Sequence, residues 1–167
     1  MKPHEQKGCL DELRCAFDAG ACGLSFGLGY DPGMYSPLEE ILSLCEVAKE
    51  SDKPVTVHTK ALSKISPCYP ATYLKPHNLR ALREMLDMAR KTGIRLQISH
   101  FIFVGRKSWS TAGPCLQRVD EARREGVDVM IDAFPYTCGN TTINVVFPYW
   151  FLARLPDAYR SAWARAR

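Results

Sequence analysis

Two histidines stand at the ends of two short apolar segments of matched form, PVTVH (54–58) and LQISH (96–100). A histidine at a strand end can present a neutral imidazole nitrogen to a metal ion. Two such residues on adjacent parallel strands would lie about 5 Å apart at the backbone, so one ion could bridge them. Zinc, nickel, manganese or iron would accept imidazoles with carboxylates and water, whereas magnesium and calcium prefer oxygen ligands. His58 and His100 therefore form either a metal site, whose third protein ligand is not obvious, or a hydrogen-bonded pair without an ion.

Other polar residues follow the predicted strand ends. Asp132 comes before Ala-Phe-Pro-Tyr and could be a ligand, a general base or a cap that accepts hydrogen bonds from loop amides. Tyr30, Lys60, Tyr136 and Asn140 could orient a polar substrate, and each could equally be an exposed loop residue. The last four residues, Tyr30, Lys60, Tyr136 and Asn140, are the candidates for a substrate site.

Nucleophilic catalysis by serine or cysteine is less well supported. Ser25 lies in GLSFG, which has the spacing of a nucleophile elbow because Gly23 and Gly27 flank it. An elbow serine needs a strand-to-helix turn, and a Tyr-Asp-Pro-Gly loop follows here instead. None of the seven cysteines is placed by the sequence beside a histidine, as a catalytic thiol requires.

Alternating helices and strands position these side chains. Apolar spacing and Gly punctuation predict helices that end at Gly20, Gly93 and Gly126, with Ser36 and Asn78 as N-caps of the second and third helices. Strands are predicted at GLSFGL (23–28), VTVH (55–58), IRLQISH (94–100) and VDVMIDAFPY (127–136). A proline-rich loop, 61–77, is expected to be functional or mobile, with His77 at the surface.

This alternation predicts an α/β fold with four parallel strands buried on both faces by crossover helices. In such sheets ligands gather at the carboxyl ends of the strands. Both histidines and Asp132 stand at that end. The topology therefore collects the polar residues on one edge of the sheet.

Composition places the chain among ordinary globular proteins. It has 167 residues, 46% hydrophobic and 24% charged, which predicts a single domain over residues 1–167. A formal charge of +4 without a basic run gives no sign of nucleic-acid binding. Seven cysteines without a CxxC pair, and no apolar signal or membrane segment, predict a cytoplasmic protein with reduced thiols and no membrane association.

Four blocks of the sequence resemble one family in order and spacing. GACGLSFGLGYDPGMYSPLEEILSLCEVA, VTVHTK, IRLQISHF with VGRKSW, and ARREGVDVMIDAFPYTCGNTTI look like consecutive parts of the N-acyl-D-amino-acid deacylases, or D-aminoacylases. These are metal-dependent hydrolases of the amidohydrolase superfamily on a (β/α)8 barrel of the TIM type. The match runs from about Leu10 to Pro148. It implies hydrolysis of the amide C–N bond of a small N-acyl amino acid by a zinc-activated water.

The resemblance also implies roles for individual residues. His58 and His100 correspond to the histidines that close the fifth and sixth barrel strands and hold zinc. Tyr30 matches the tyrosine after the GLS-type strand, and Tyr136 and Asn140 fall in the block that helps to shape the substrate site.

Several features depart from the family. Ile102 replaces a common lysine, and Lys60 replaces an arginine, which weakens the anchoring of a substrate carboxylate because lysine cannot form the bidentate pair. The His-x-His pair of the first strand and the aspartate of the eighth strand have no counterpart in this sequence.

What remains resembles strands four to seven, about half a barrel, and we expect a fragment that is inactive alone. The alternative is a non-catalytic half-barrel that serves as a binding or assembly module. Either form would expose two sheet edges, so self-association through those edges is expected.

Overall fold

The computed structural model of the protein describes residues 3–70, 74–147 and 149–165. Its sheet contains four strands, β1 (Leu24–Gly27), β2 (Val55–His58), β3 (Leu96–Ile98) and β4 (Val129–Ile131). All neighbouring strands pair in parallel, in the order β1-β2-β3-β4. The predicted alternation of parallel strands and helices is confirmed, with strands shorter than the apolar segments suggested.

Four longer helices connect or flank the strands: α1 (Pro3–Asp18), α2 (Leu38–Glu50), α3 (His77–Thr92) and α4 (Ala112–Arg124). Three short helices follow β4, namely α5 (Tyr149–Leu152), α6 (Asp157–Arg160) and α7 (Ala162–Arg165). Segments of 3-10 helix occupy Gly33–Tyr35, Arg106–Thr111 and Ile143–Val146. None of the helices in the described ranges is long and apolar enough to cross a membrane.

The helix ends marked by glycine agree with the sequence. Gly93 closes α3 with φ +65°, and its N–H donates to the carbonyl of Ala89. Gly126 follows α4 with φ +90°, a conformation that carries a steric cost for residues with a Cβ atom. These two glycines turn the chain back toward β3 and β4.

The predicted N-caps are wrong. Pro37 stands at the N-cap of α2 and Pro76 at that of α3, and neither provides a side-chain cap. Asn78 instead lies inside the first turn of α3, is buried, and donates from Nδ2 to Oγ1 of Thr111 at 2.6 Å. A proline before the helix fixes the entry of the chain and leaves Asn78 free for this long-range bond.

Burial of the sheet differs from the prediction, because helices cover only one face. Neighbouring helices contact each other from α1 to α4 in one layer. The strand residues of this helix face are apolar and join the core: Leu24, Phe26, Val55, Val57, Leu96, Ile98, Val129 and Ile131. The expectation of burial on both faces is therefore wrong for the described chain. The two faces of the sheet differ because side chains alternate along each strand, so that every second residue points away from the helices.

The opposite face, called the open face here, carries the row Ser25, Thr56, Gln97 and Met130, which the strand register aligns. Its members are half-buried or exposed, and Met130 is 53% exposed. Ser25 thus lies in the middle of a strand on this face, far from the turn that a nucleophile elbow needs.

The loop after β2, residues 59–70, is tied to α3 and to the 3-10 helix before α4. The amide of Ser66 donates to Nδ1 of His77 at 2.8 Å, and the amide of Lys64 donates to Oγ of Ser108 at 2.8 Å. His77 is only 2% exposed, so its predicted surface position is wrong. Its imidazole completes the hydrogen bonding of a buried loop, a role that depends on residues distant in the sequence.

Candidate metal and substrate site

The two matched histidines meet at the carboxyl edge of the sheet. His58 is the last residue of β2 and points to the open face, in register with Gly27 of β1. Its Nδ1 is in direct contact with Nε2 of His100, and the ring centroids are 4.5 Å apart. The fold therefore aims one nitrogen of each ring at a common point.

The chain reaches this arrangement at His100 by leaving the strand conformation. In β3, Leu96 and Ile98 face the helices and Gln97 faces the open side. Continued alternation would send His100 to the helix face. Instead, β3 ends at Ile98 and His100 has φ +39°, a left-handed conformation that is uncommon for a residue with a Cβ.

Asp132 holds this turn. Its Oδ1 accepts a hydrogen bond from the backbone N–H of His100 at 2.6 Å, and its Oδ2 accepts one from Nε2 of Gln97 at 2.6 Å. Of the three roles that the sequence left open, the carboxylate thus adopts that of an acceptor for loop amides. Gln97 is not among the candidates predicted from the sequence. Its polar side chain between two apolar strand residues nevertheless indicates a position on the open face.

The ionisation state of His58 suits a metal ligand. Burial, and then the neighbouring His100, lower the pKa of His58 to about 4. Its imidazole is therefore neutral at pH 7, the form in which a ring nitrogen can coordinate a metal. The backbone at Gly29 lies against Nε2 of His58, since a Cβ built there would approach that atom to 2.5 Å. Nδ1 is consequently the nitrogen left to face His100.

Tyr30 lies beside this pair. Its ring centroid is 5.0 Å from that of His58, and the ring covers Gly27, where an added Cβ would come within 2.6 Å of the tyrosine hydroxyl. A side chain at position 27 would displace Tyr30 from His58. Glycine at the end of β1 thus makes room for the tyrosine.

The remaining substrate-site candidates differ in how closely they approach the histidine pair. Lys60 lies two residues beyond the end of β2, and its charge acts on Cys68, whose Sγ contacts the carbonyl of Gly29. Tyr136 is 73% exposed and stacks on Phe134, whose ring lies 6.5 Å from that of His100.

Asn140 is exposed on the segment after β4, and no described contact joins it to either histidine. The structure thus gathers Tyr30 at the histidine pair, brings Lys60 to the same edge, and leaves Tyr136 and Asn140 in the open. His4 is exposed on α1.

The donor set fits a zinc ion in kind but not in number. Two imidazole nitrogens converge, and imidazole is a common zinc ligand. Within residues 3–70, 74–147 and 149–165, however, no group of three histidine, cysteine, aspartate or glutamate side chains could hold a metal ion. Functional zinc sites commonly use three or four protein ligands. The described residues therefore supply two ligands and no third.

The chain is similar in sequence to known proteins. No protein-family profile matches the chain. The sequence is 32% identical over 141 residues to an N-acyl-D-glutamate deacylase of Alcaligenes xylosoxydans xylosoxydans, a span that covers 84% of this chain and 26% of that protein. A D-aminoacylase of the same organism is 28% identical over 132 residues, covering 77% and 24% of the two chains. The chain thus spans about a quarter of the relatives that it matches.

Solved structures give the same result. The N-acyl-D-glutamate deacylase of Bordetella bronchiseptica, complexed with zinc and a phosphonate inhibitor that mimics the tetrahedral intermediate, superposes with a TM-score of 0.71 at 30% identity. That match covers 81% of this chain and 26% of the other. A D-aminoacylase structure gives a TM-score of 0.72 at 23% identity, over 83% of this chain and 27% of the other, which supports the fold alone.

Fold and sequence together define the class: the protein is a partial α/β barrel related to the amidohydrolases. More narrowly, it resembles the N-acyl-D-amino-acid deacylases, or D-aminoacylases, over most of its length. The resemblance expected from the four sequence blocks is confirmed.

Proposed function

We propose that this chain is the part of an N-acyl-D-amino-acid deacylase that contributes His58 and His100 to one zinc ion. It would correspond to strands four to seven of the barrel, folded as one domain over residues 1–167. The observation that carries the proposal is the approach of Nδ1 of His58 to Nε2 of His100 at the carboxyl edge of the sheet. The similarity to a deacylase whose structure contains zinc gives independent support.

The reaction to which the chain would contribute is hydrolysis of the amide C–N bond of an N-acyl-D-amino acid. Zinc, when bound, supplies a Lewis acid that activates a water molecule for attack on the acyl carbonyl. Tyr30, 5.0 Å from His58 between ring centroids, would limit the space for the acyl group. Lys60 would attract the substrate carboxylate with a single ammonium, and Tyr136 and Asn140 would cover the outer part of the substrate.

We further propose that the chain binds metal without hydrolysing substrate when it is alone. The described residues provide two imidazole ligands, and no third histidine, cysteine or carboxylate joins them in those ranges. Two ligands hold an ion less firmly than the three usual in catalytic sites. A cytoplasmic location remains a prediction from the sequence.

A second candidate is a non-catalytic module that assembles through its sheet edges. The supporting observation is that β1 and β4 each pair on one side only in the described sheet. Near the outer edge, Nε of Arg123 donates to the carbonyl of Val129 at 2.9 Å, and a charged side chain at an edge disfavours pairing with another chain. Two copies could still associate if this side chain moved away.

Zinc binding tests the first proposal. We expect the purified chain to bind one zinc ion at micromolar supply, measured by calorimetry and elemental analysis. His58→Ala and His100→Ala should each weaken binding, because one imidazole holds the ion less firmly than two, and the double variant, which keeps neither ligand, should abolish it. His4→Ala, which removes an exposed histidine from α1, is the matched control. Equal zinc binding by the double variant and the control would refute the proposal.

An activity measurement separates metal binding from catalysis. Release of free amino acid from N-acetyl-D-glutamate should be undetectable with the zinc-loaded chain. Measurable release that is lost in His58→Ala would contradict the proposed inactivity of the isolated chain.

Sedimentation tests the second candidate, the assembly module. Assembly through the sheet edges predicts dimers, and Arg123→Ala should strengthen them. Monomers in both the unsubstituted chain and the variant would exclude this candidate.

A further inference from the structure

We propose that Asp132 is a positioning residue that turns His100 toward His58 and so creates the pair of nitrogen donors. This inference rests on the proposed function for its metal, but its geometric content concerns the chain alone. Asp132 would act through His100 without touching metal or substrate. Gln97 would support it from the open face of β3.

The first argument is the direction of the side chains along β3. His58 reaches the open face by ordinary alternation, because Val55 and Val57 face the helices. His100 has the opposite parity: it is two residues beyond Ile98, which faces the helices. Its imidazole nevertheless contacts His58 on the open side. Only the change of backbone conformation at His100, with φ +39°, reconciles these facts.

The second argument is that Asp132 holds the two amides around this turn. Its side chain accepts from the N–H of His100 at 2.6 Å, and its backbone carbonyl accepts from the N–H of Phe101, also at 2.6 Å. A regular strand would donate the His100 N–H to a neighbouring backbone carbonyl and not to a side chain. Asp132, at the end of β4, therefore accepts the hydrogen bonds of both amides around the turn.

The third argument is that Asp132 is itself fixed. Its own N–H donates to the carbonyl of Ile98 at 3.2 Å, and its second carboxylate oxygen accepts from Nε2 of Gln97 at 2.6 Å. The carboxylate is thereby held from two sides. Hydrogen bonds to a charged acceptor are stronger than those between neutral groups, which suits a conformation that a histidine seldom adopts alone.

Positioning can be separated from simple charge by two conservative substitutions, one isosteric and one that keeps the charge. Asp132→Asn removes the charge and keeps an oxygen for the His100 amide, while Gln97 can turn its amide to present oxygen to the new NH2 group. Asp132→Glu keeps the charge and moves the carboxylate by one methylene. Asp132→Ala removes both, and Asp128→Ala, at the exposed position before β4, is the control.

We expect zinc affinity to fall about 10- to 100-fold in Asp132→Ala and Asp132→Glu, the range seen when residues that orient metal ligands are removed. Asp132→Asn and Asp128→Ala should stay near the unsubstituted chain. A carboxylate that acted by charge alone would give the reverse order for Asn and Glu, and that result would overturn the proposal. Thermal unfolding of each variant checks folding, and the Asn and Glu pair decides the question if Asp132→Ala does not fold.

A metal-free measurement keeps this inference distinct from the proposed function. In the chain without metal, NMR should show a ring-to-ring contact between His58 and His100 and slow exchange of the His100 amide. Both signals should persist in Asp132→Asn and disappear in Asp132→Glu. If both signals change in this way while zinc fails to bind, the proposed function fails and the positioning role stands. If zinc binds and the ring contact survives in Asp132→Glu, the positioning role fails alone.

Discussion

The two faces of the sheet are built from the same strands and differ in almost every other respect. The helix face is a continuous apolar layer in which Val55 and Val57 are fully buried. The open face carries Ser25, Thr56 and Gln97 at the aligned positions and leaves Met130 exposed. One face supplies stability, and the other leaves room at the strand ends for polar side chains to meet.

This difference explains why the candidate site lies where it does. An imidazole aimed into the helix face would be buried among aliphatic side chains and would need a hydrogen-bond partner there. On the open face, His58 and His100 meet beside Tyr30 while remaining only half-buried. The site therefore depends on His58 pointing away from the core by alternation and on the turn that brings His100 to the same side.

The largest expected effect contrasts the two faces directly. Ile98→Ala removes a side chain that is 1% exposed on the helix face and should lower the free energy of unfolding by about 2–5 kcal/mol. Met130→Ala, on the neighbouring strand but on the open face, should cost less than about 1 kcal/mol because its side chain already contacts solvent. Urea denaturation of both variants measures these values.

Equal losses at the two positions would break the comparison. They would mean that the open face is covered in solution, by a second copy or by another segment of the same chain. Sedimentation of the Met130→Ala variant would then distinguish self-association from a change within one chain.

A smaller effect should separate the first turn of α3 from the segment after β4. Asn78→Ala leaves Oγ1 of Thr111 without its buried partner and should cost about 1–3 kcal/mol in unfolding free energy. Asn140→Ala, at an exposed position, should change it by less than about 0.5 kcal/mol. Denaturation in urea measures both.

A double-mutant cycle with Thr111→Val identifies the source of the Asn78 effect. If the hydrogen bond carries it, the two substitutions should be less than additive. Strict additivity would assign the loss to packing around α3 instead.

Much of the helix face was predictable from the sequence. Runs such as Val-Thr-Val and Leu-Gln-Ile predict strands, and Gly93 and Gly126 mark where the helices end, because these signals are local. The parallel order of the strands follows from the alternation with helices. The placement of His58 and His100 at the same edge of the sheet was also predicted, since each stands at the carboxyl end of such a segment.

The remaining features depend on contacts between distant residues. His77 and Asn78 look like surface residues beside a helix start, yet the loop after β2 and the 3-10 helix before α4 bury them. The turn at His100 could not be predicted either, because alternation along β3 alone places this side chain on the helix face. It requires Asp132, which lies 32 residues further along the chain.

The last expected effect appears only at alkaline pH and is a loss of stability that arises on the helix face alone. Burial, aided by Glu46, raises the pKa of Cys45 to about 12, and burial raises that of Cys115 to about 11, from 9.0 for an exposed thiol. Below about pH 9 both folded and unfolded chains keep these protons. Above it the unfolded chain loses them first, so the free energy of unfolding should fall as the pH rises from about 9 toward 11.

Cys45→Ala and Cys115→Ala should each flatten this decline, measured by urea denaturation across the same pH range. Cys22→Ala, which removes an exposed thiol, should leave it unchanged. Lysines and tyrosines also titrate at alkaline pH, and they are present in all three variants, so only the difference in slope reports the buried thiols. Identical slopes in Cys45→Ala and Cys22→Ala would show that Cys45 reaches solvent in the folded protein, and the helix layer would then be less closed than its packing implies.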